Sequence, residues 1–162
     1  MKKGLLKELE EFINEMLDVS GKIALKNFRE IREMSLKGDS SPVTKTDIKI
    51  EQYIRTKILE NYPNHKIIGE ELDYVDGTEN ITWYIDPIDG TRSFVAGKHD
   101  FGTLLAVVMD KEIIGGVVDC PALGERWTSF HPKQTKVNQV ITQCKAVEDL
   151  SNAVMATTSS HE

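Results

Sequence analysis

Along residues 5–28, apolar side chains return every three or four positions, at Leu5, Leu9, Phe12, Met16, Val19 and Ile23. That is the helical period, and Leu6, Ile13, Leu17 and Ala24 widen the stripe while lysine and glutamate fill the opposite face. Residues 31–37, IREMSLK, read as a short strand, and GDSSPVTKTD at 38–47 reads as a loop by its Gly, Ser, Pro and Asp content. A second helix is predicted next, capped by Thr46 or Asp47. Its apolar face repeats at Ile50, Ile54 and Ile58, with Tyr53, Leu59 and Tyr62 beside them, and Pro63 ends it.

From Lys66 onward the pattern shortens to strand-like runs. HKIIG and ITWYI each give out in an acidic residue. FGTLLAVVM at 101–109 and EIIGGVVDC at 112–120 flank Asp110-Lys111 and read as a hairpin. ERWTSF and KVNQVITQ are two further strand candidates, VEDLSNA is a candidate short helix, and AVMATTSS resembles the start of another strand. The sum is an α+β class: two N-terminal helices packed on a mainly antiparallel sheet of about six strands, in one domain over residues 1–162. There is no internal repeat and no low-complexity tract.

Composition narrows the functional classes. Lys+Arg 20 against Asp+Glu 26 gives a net charge of −6, which argues against a nucleic-acid partner because that needs a basic face. It suits a cation that bridges to an anion, since the ion reverses the local sign. Cys120 and Cys144 fit no metal or redox spacing and are expected to be reduced, as in a cytoplasmic protein. The N-terminal MKKGLLKELEEFINEM lacks the apolar core of a signal peptide, and no run approaches a membrane span. A cytoplasmic setting with no membrane partner is expected.

The chemistry is concentrated where two apolar strands end. IIGEEL contributes Glu70 and Glu71, and YIDPID contributes Asp86 and Asp89. Carboxylate oxygens suit a hard divalent cation such as Mg2+, and clustering them without one is costly through like-charge repulsion. Should the two strands be parallel neighbours, Glu70 and Asp86 would meet, and ELDYVDGTEN is long enough for the crossover. Pro87 holds Asp86 out of the helical region, so the Ile88 carbonyl and Asp89 can turn back to the same point. Gly90 permits close backbone approach, and a helix opening at Thr91 would present free N–H groups to a phosphate. Each piece has a plainer reading alone: a solvated acidic pair, a β-turn at D-P-x-D-G, an N-cap at Asp47. Their combination is what points to a site.

GEE at 69–71 followed by WYIDPIDGT at 83–91 resembles the inositol monophosphatase family of Mg2+-dependent phosphatases. SPVTKTD is similar to the family's loop before its second helix. DGTRSFVAGKHDFGTLLAVV and ALGERW look most like the branch that includes histidinol-phosphate phosphatases. The resemblance implies the N-terminal domain of the sugar-phosphatase fold shared with fructose-bisphosphatases. It also implies roles. Glu70, Asp86 and the Ile88 carbonyl would hold one Mg2+, while Asp86 and Asp89 would hold a second and bridge the pair. Asp47 would hydrogen-bond Thr91, Thr91 with Glu70 would orient the attacking water, and the amides of Gly90 and Thr91 would bind phosphate. The implied reaction is two-metal hydrolysis of a small phosphate monoester, inositol monophosphate, histidinol phosphate or a relative, with no covalent nucleophile.

Family members continue into a second α/β domain that supplies another aspartate and much of the pocket, and this chain is expected to lack it. The expectation is a native-like first metal site, a weakened second one, and an uncovered apolar sheet face that drives homo-oligomer formation. A catalytically silent metal-binding or interaction module is the alternative. Arg92 could contact substrate or form a surface salt bridge. Trp83 and Trp127 read as core and packing residues. The spacing of His65, His99, His131 and His161 suggests no zinc site. Thr157, Thr158 and Ser159 would lie near the domain junction.

Overall fold

A computed structural model describes residues 2–30, 34–36, 38, 42–131, 134–144 and 146–154. Its first helix, α1 (Lys2–Asn27), buries Leu9, Ile13, Met16, Leu17, Ser20 and Ala24. The buried stripe takes Leu9 and Met16 from the predicted centre and Ile13, Leu17 and Ala24 from the predicted margin, and Val19, read as part of the centre, is 39% exposed. The second helix, α2 (Lys45–Asn61), buries Ile50, Ile54 and Ile58. Each fully buried side chain of this size contributes about 1.5–3 kcal/mol. The backbone N–H of Tyr62 closes the helix onto Ile58 O, ahead of Pro63.

Within the segment read as a loop at 38–47, residues 42–47 belong to regular elements. Strand β2 (Pro42–Thr44) pairs antiparallel with β1 (Met34–Leu36), and α2 already starts at Lys45. The N-cap is Thr44, not Thr46 or Asp47. Thr44 Oγ1 accepts from Thr46 N at 3.1 Å, and Asp47 stands at the third helical position of a capping box.

Seven further strands form one sheet in sequence order: β3 (Lys66–Gly69), β4 (Ile81–Asp89), β5 (Gly102–Met109), β6 (Glu112–Cys120), β7 (Glu125–His131), β8 (Gln134–Val137) and β9 (Val140–Thr142). About six strands were expected. The additional one arises because KVNQVITQ folds back on itself at Asn138-Gln139, both with positive φ. The β5–β6 hairpin turns at Asp110-Lys111 with φ of 51° and 69°, matching the twist of its strands. β3 and β4 are parallel and the remaining pairs are antiparallel. VEDLSNA contains only a short 3-10 turn, Leu150–Asn152, capped by Asp149. Thr157, Thr158 and Ser159 lie outside the described residues.

Both long helices pack on one face of this sheet, α2 on β4 and α1 on β6 and β7. The rows facing them include Ile67, Trp83 and Val107, then Ile85, Leu105 and Val117, all buried. The opposite rows run Ile68–Tyr84–Ala106–Gly116 and Asp86–Leu104–Val118–Trp127. This second face is open, and its Ile68, Tyr84, Leu104, Val118 and Trp127 line, together with Leu5 and Leu6 of α1, an open apolar groove of about 1020 Å³. Trp83 is buried as expected, whereas Trp127 is 38% exposed on the open face and is no core residue. Among the described residues, no helix is long and apolar enough to cross a membrane.

Candidate active site

The parallel pairing of β3 with β4 sets Gly69 opposite Ile85, and the ladder extends one step further through Glu70 N donating to Ile85 O at 3.1 Å. Glu70 and Asp86 thus leave their strands side by side. In a regular strand, residues three apart face opposite sides of the sheet. Here the register shifts between Asp86 and Asp89, because Asp86 pairs with Leu104 and Asp89 with Gly102. Two residues, Pro87 and Ile88, oppose the single Thr103. This bulge reverses the alternation, so that Asp86 and Asp89 share a side. Pro87 has no N–H to lose from the ladder, and its carbonyl accepts from Thr103 Oγ1 at 2.9 Å. D-P-x-D-G is therefore a bulged strand end rather than a simple β-turn.

The chain then turns through Gly90 into α3 (Thr91–Val95). Gly90 has φ of +78°, and a Cβ there would meet Asp100 O at 2.8 Å, so both conformation and space require glycine. The Thr91 hydroxyl sits between two acceptors, Ile88 O at 3.0 Å and Asp47 Oδ1 at 3.3 Å. Asp47 Oδ2 accepts from Thr44 N at 3.0 Å and also from the Thr44 hydroxyl. Asp47 is fully buried, and burial raises its pKa against the hydrogen bonds from Thr44 and Thr91.

Electrostatics tie the cluster together. Burial, followed by the charge of Glu70, a hydrogen bond with Glu70 and the charges of Asp89 and Asp47, pushes the Asp86 pKa up to about 8. Asp86 Oδ1 is buried with no hydrogen-bond partner. A buried, unpartnered carboxylate oxygen among three other acids fits a hard cation, which would satisfy the oxygen and cancel the repulsion. The fit is of donor chemistry and placement. Among the described residues, no three His, Cys, Asp or Glu side chains already stand arranged around a metal position. The backbone N–H of Glu71 is held by Glu51, and Arg92 is exposed on α3 immediately after Thr91.

A second network, which sequence reasoning missed, supports the Glu70 segment. Glu51 of α2 is fully buried. Its Oε1 accepts from Arg55 Nε at 2.8 Å and from Leu72 N at 3.2 Å, and its Oε2 accepts from Glu71 N at 2.8 Å. Arg55 donates to Leu72 O at 2.7 Å and Asp73 O at 2.6 Å. A Cβ at residue 69 would collide with the Glu51 carboxylate and meet Arg55 Nη2 at 2.7 Å. The glycine of G-E-E therefore makes room for this ion pair. The available signal was an acid and an arginine four apart on α2, interleaved with Ile50 and Ile54.

Comparison with known proteins identifies the family. Residues 5–162 match the inositol monophosphatase family. The chain is 38% identical over 159 residues to "Bifunctional phosphatase IMPL2, chloroplastic" of Arabidopsis thaliana, covering 95% of this chain and 46% of that protein. It is 32% identical to the histidinol-phosphatase of Chlorobaculum parvum, covering 89% of this chain and 56% of that one. An inositol monophosphatase structure from Zymomonas mobilis superposes with a TM-score of 0.72 at 32% identity, over 87% of this chain and 54% of that one. The chain spans about half the length of the curated relatives it matches. With its α+β layers, its bulged D-P-I-D-G-T strand and the match over residues 5–162, this chain belongs to the inositol monophosphatase family.

Proposed function

We propose that the chain carries the carboxylate half of a Mg2+-dependent phosphatase centre that hydrolyses a small phosphate monoester, histidinol phosphate, inositol monophosphate or a related compound. The observation that carries this reading is Asp86, whose Oδ1 is buried and unpartnered and whose carboxyl feels the charges of Glu70, Asp89 and Asp47. Glu70, Asp86, Asp89 and the carbonyl of Ile88 would hold the cation. When bound, a hard divalent ion supplies Lewis acidity and a water made acidic enough to attack phosphorus near neutral pH. The protein's own part is to orient. Asp47 accepts the Thr91 hydroxyl proton, which leaves a Thr91 lone pair to position the attacking water with Glu70. The first amides of α3, at Gly90 and Thr91, have no intrahelical acceptor and receive the phosphate oxygens.

The proposal includes one domain over residues 1–162, a cytoplasmic setting consistent with free thiols at Cys120 and Cys144, and a homo-oligomer formed through the open sheet face. A second reading has its own support. The three acids do not yet enclose a metal position among the described residues. On that reading it is a metal-binding or interaction module without turnover. The deciding experiment is phosphate release from histidinol phosphate and inositol 1-phosphate with Mg2+. Turnover that disappears in Asp86→Asn and Glu70→Gln is expected, and cation binding without turnover establishes the module instead.

A further inference from the structure

We propose that Glu51 and Arg55 are positioning residues that set Glu70 for cation binding by clamping the backbone of residues 71–73. The proposal rests on the cation-site reading above and adds to it a residue pair outside the acidic cluster. Glu70 lies between two anchors. On its N-terminal side its own N–H joins the β4 ladder at Ile85 O, 3.1 Å away. On its C-terminal side the next two N–H groups, Glu71 and Leu72, both donate to Glu51, and the carbonyls of Leu72 and Asp73 both accept from Arg55.

A buried ion pair is weak evidence for stability, because apolar side chains of equal volume often serve as well or better. An apolar pair could not bind two amides and two carbonyls of an irregular segment. The side chains also match their task in number, since both carboxylate oxygens and the guanidinium fork are used. Gly69 completes the device, because any side chain there would push the carboxylate out. The clamp is thus bonded to residues 71–73 and packed against residue 69, on either side of Glu70, while touching no reacting atom.

The test is titration of the full chain with Mn2+, following the free ion by spin resonance, for wild type and the variants Glu70→Gln, Glu51→Gln and Arg55→Gln. Positioning expects both clamp variants to weaken the ion by about tenfold or more, the usual effect of removing a group that orients a ligand. The two substitutions change charge in opposite senses. Weakening in Glu51→Gln with tightening in Arg55→Gln would mean a field effect and overturn the proposal. Affinity held within about twofold in both, while Glu70→Gln abolishes binding, also overturns it and leaves the cation site standing. Wild type that retains no ion sensitive to Glu70→Gln removes the cation-site reading and the positioning role with it. Should the clamp variants not fold, amide exchange on wild type decides. Coupling is reciprocal, so saturating Mg2+ is expected to slow exchange at Glu71 and Leu72, and unchanged rates overturn the proposal.

Discussion

The Thr91 hydroxyl lies 3.3 Å from Asp47 Oδ1, joining the first turn of α3 to the first turn of α2 across 44 residues of chain. The same carboxylate takes the Thr44 N–H through its other oxygen, so one buried acid both caps a helix and aligns a site hydroxyl. Asp47→Ala is expected to cost about 1 kcal/mol through loss of the cap. On the proposed function it should also lower turnover by about ten- to a hundredfold. Chemical denaturation and initial rates on the same preparation check both. A stability loss with unchanged rate would leave Asp47 as a cap alone.

Asp86 makes the ion-free fold sensitive to base. Its folded pKa is raised from 3.8 to about 8, so between these values the unfolded chain ionises readily while the folded chain resists. This penalty is absent below about pH 4 and grows as pH rises towards 8. In chelator, wild type is expected to lose stability across that window relative to Asp86→Asn. Mg2+ should restore wild type more at pH 8 than at pH 5, because a ligand of the folded state stabilises it by mass action and binds the ionised carboxylate. Urea unfolding at both pH values, with chelator and with Mg2+, reads the four conditions. Parallel curves for wild type and Asp86→Asn in chelator would contradict the assignment.

The parts that were legible in the sequence share a local cause. The helical stripe at Ile50, Ile54 and Ile58 and the Asp110-Lys111 hairpin follow from periodicity and turn chemistry, and both stand in the fold. Crossover length left a parallel approach of Glu70 to Asp86 open, and the β3–β4 pairing is parallel. What was misread depends on distant partners. Pro42–Thr44 is a strand only because Met34–Leu36 pairs with it, and its own composition reads as loop. T-K-T-D at 44–47 offered more than one capping residue, and the capping-box spacing belongs to Thr44 with Asp47. Glu51 and Arg55 stand four apart on α2 and were passed over, because their role shows only where residues 71–73 dock over them. Alternation identified the strand of Trp127 but not which of its faces is covered.

The open face leads to an expectation about association. Tyr84 on β4, Val118 on β6 and Trp127 on β7 are 43%, 40% and 38% exposed on the same sheet face, and apolar surface of this kind promotes contact between molecules. Sedimentation velocity should show concentration-dependent mass for wild type. Val118→Lys places an ammonium at the middle of the face and is expected to shift the population to monomer, with little change in the unfolding midpoint at concentrations where wild type is itself monomeric, since the position is partly solvent-facing. A monomer at every concentration would remove the homo-oligomer from the proposal.

His65 and Trp83 provide a pH response of the opposite sign, away from the acidic cluster. Trp83 Nε1 donates to His65 Nδ1 at 2.9 Å, so the ring is neutral with its proton on Nε2, which faces Glu79 at 3.4 Å. Protonation would turn Nδ1 into a donor and break the bond to Trp83, whose indole is fully buried. Burial lowers the His65 pKa, with Glu79 opposing. The sign follows from that direction. The contribution of His65 is fully present above its unfolded value near 6.5 and is lost as pH falls through that value to the lower folded one. Glu79→Gln removes the opposing charge, so the loss should extend to lower pH. His65→Gln should remove the dependence and cost about 1 kcal/mol at neutral pH through the lost hydrogen bond. Asp86 stabilises the ion-free fold as pH falls over the same range, so the measurement belongs in the Asp86→Asn background, where that opposing contribution is absent and comparison with the double variant isolates the histidine's. Thermal midpoints at pH 7 and pH 5.5 that move together for Asp86→Asn and for the double variant with His65→Gln would show that the pair does not titrate with folding.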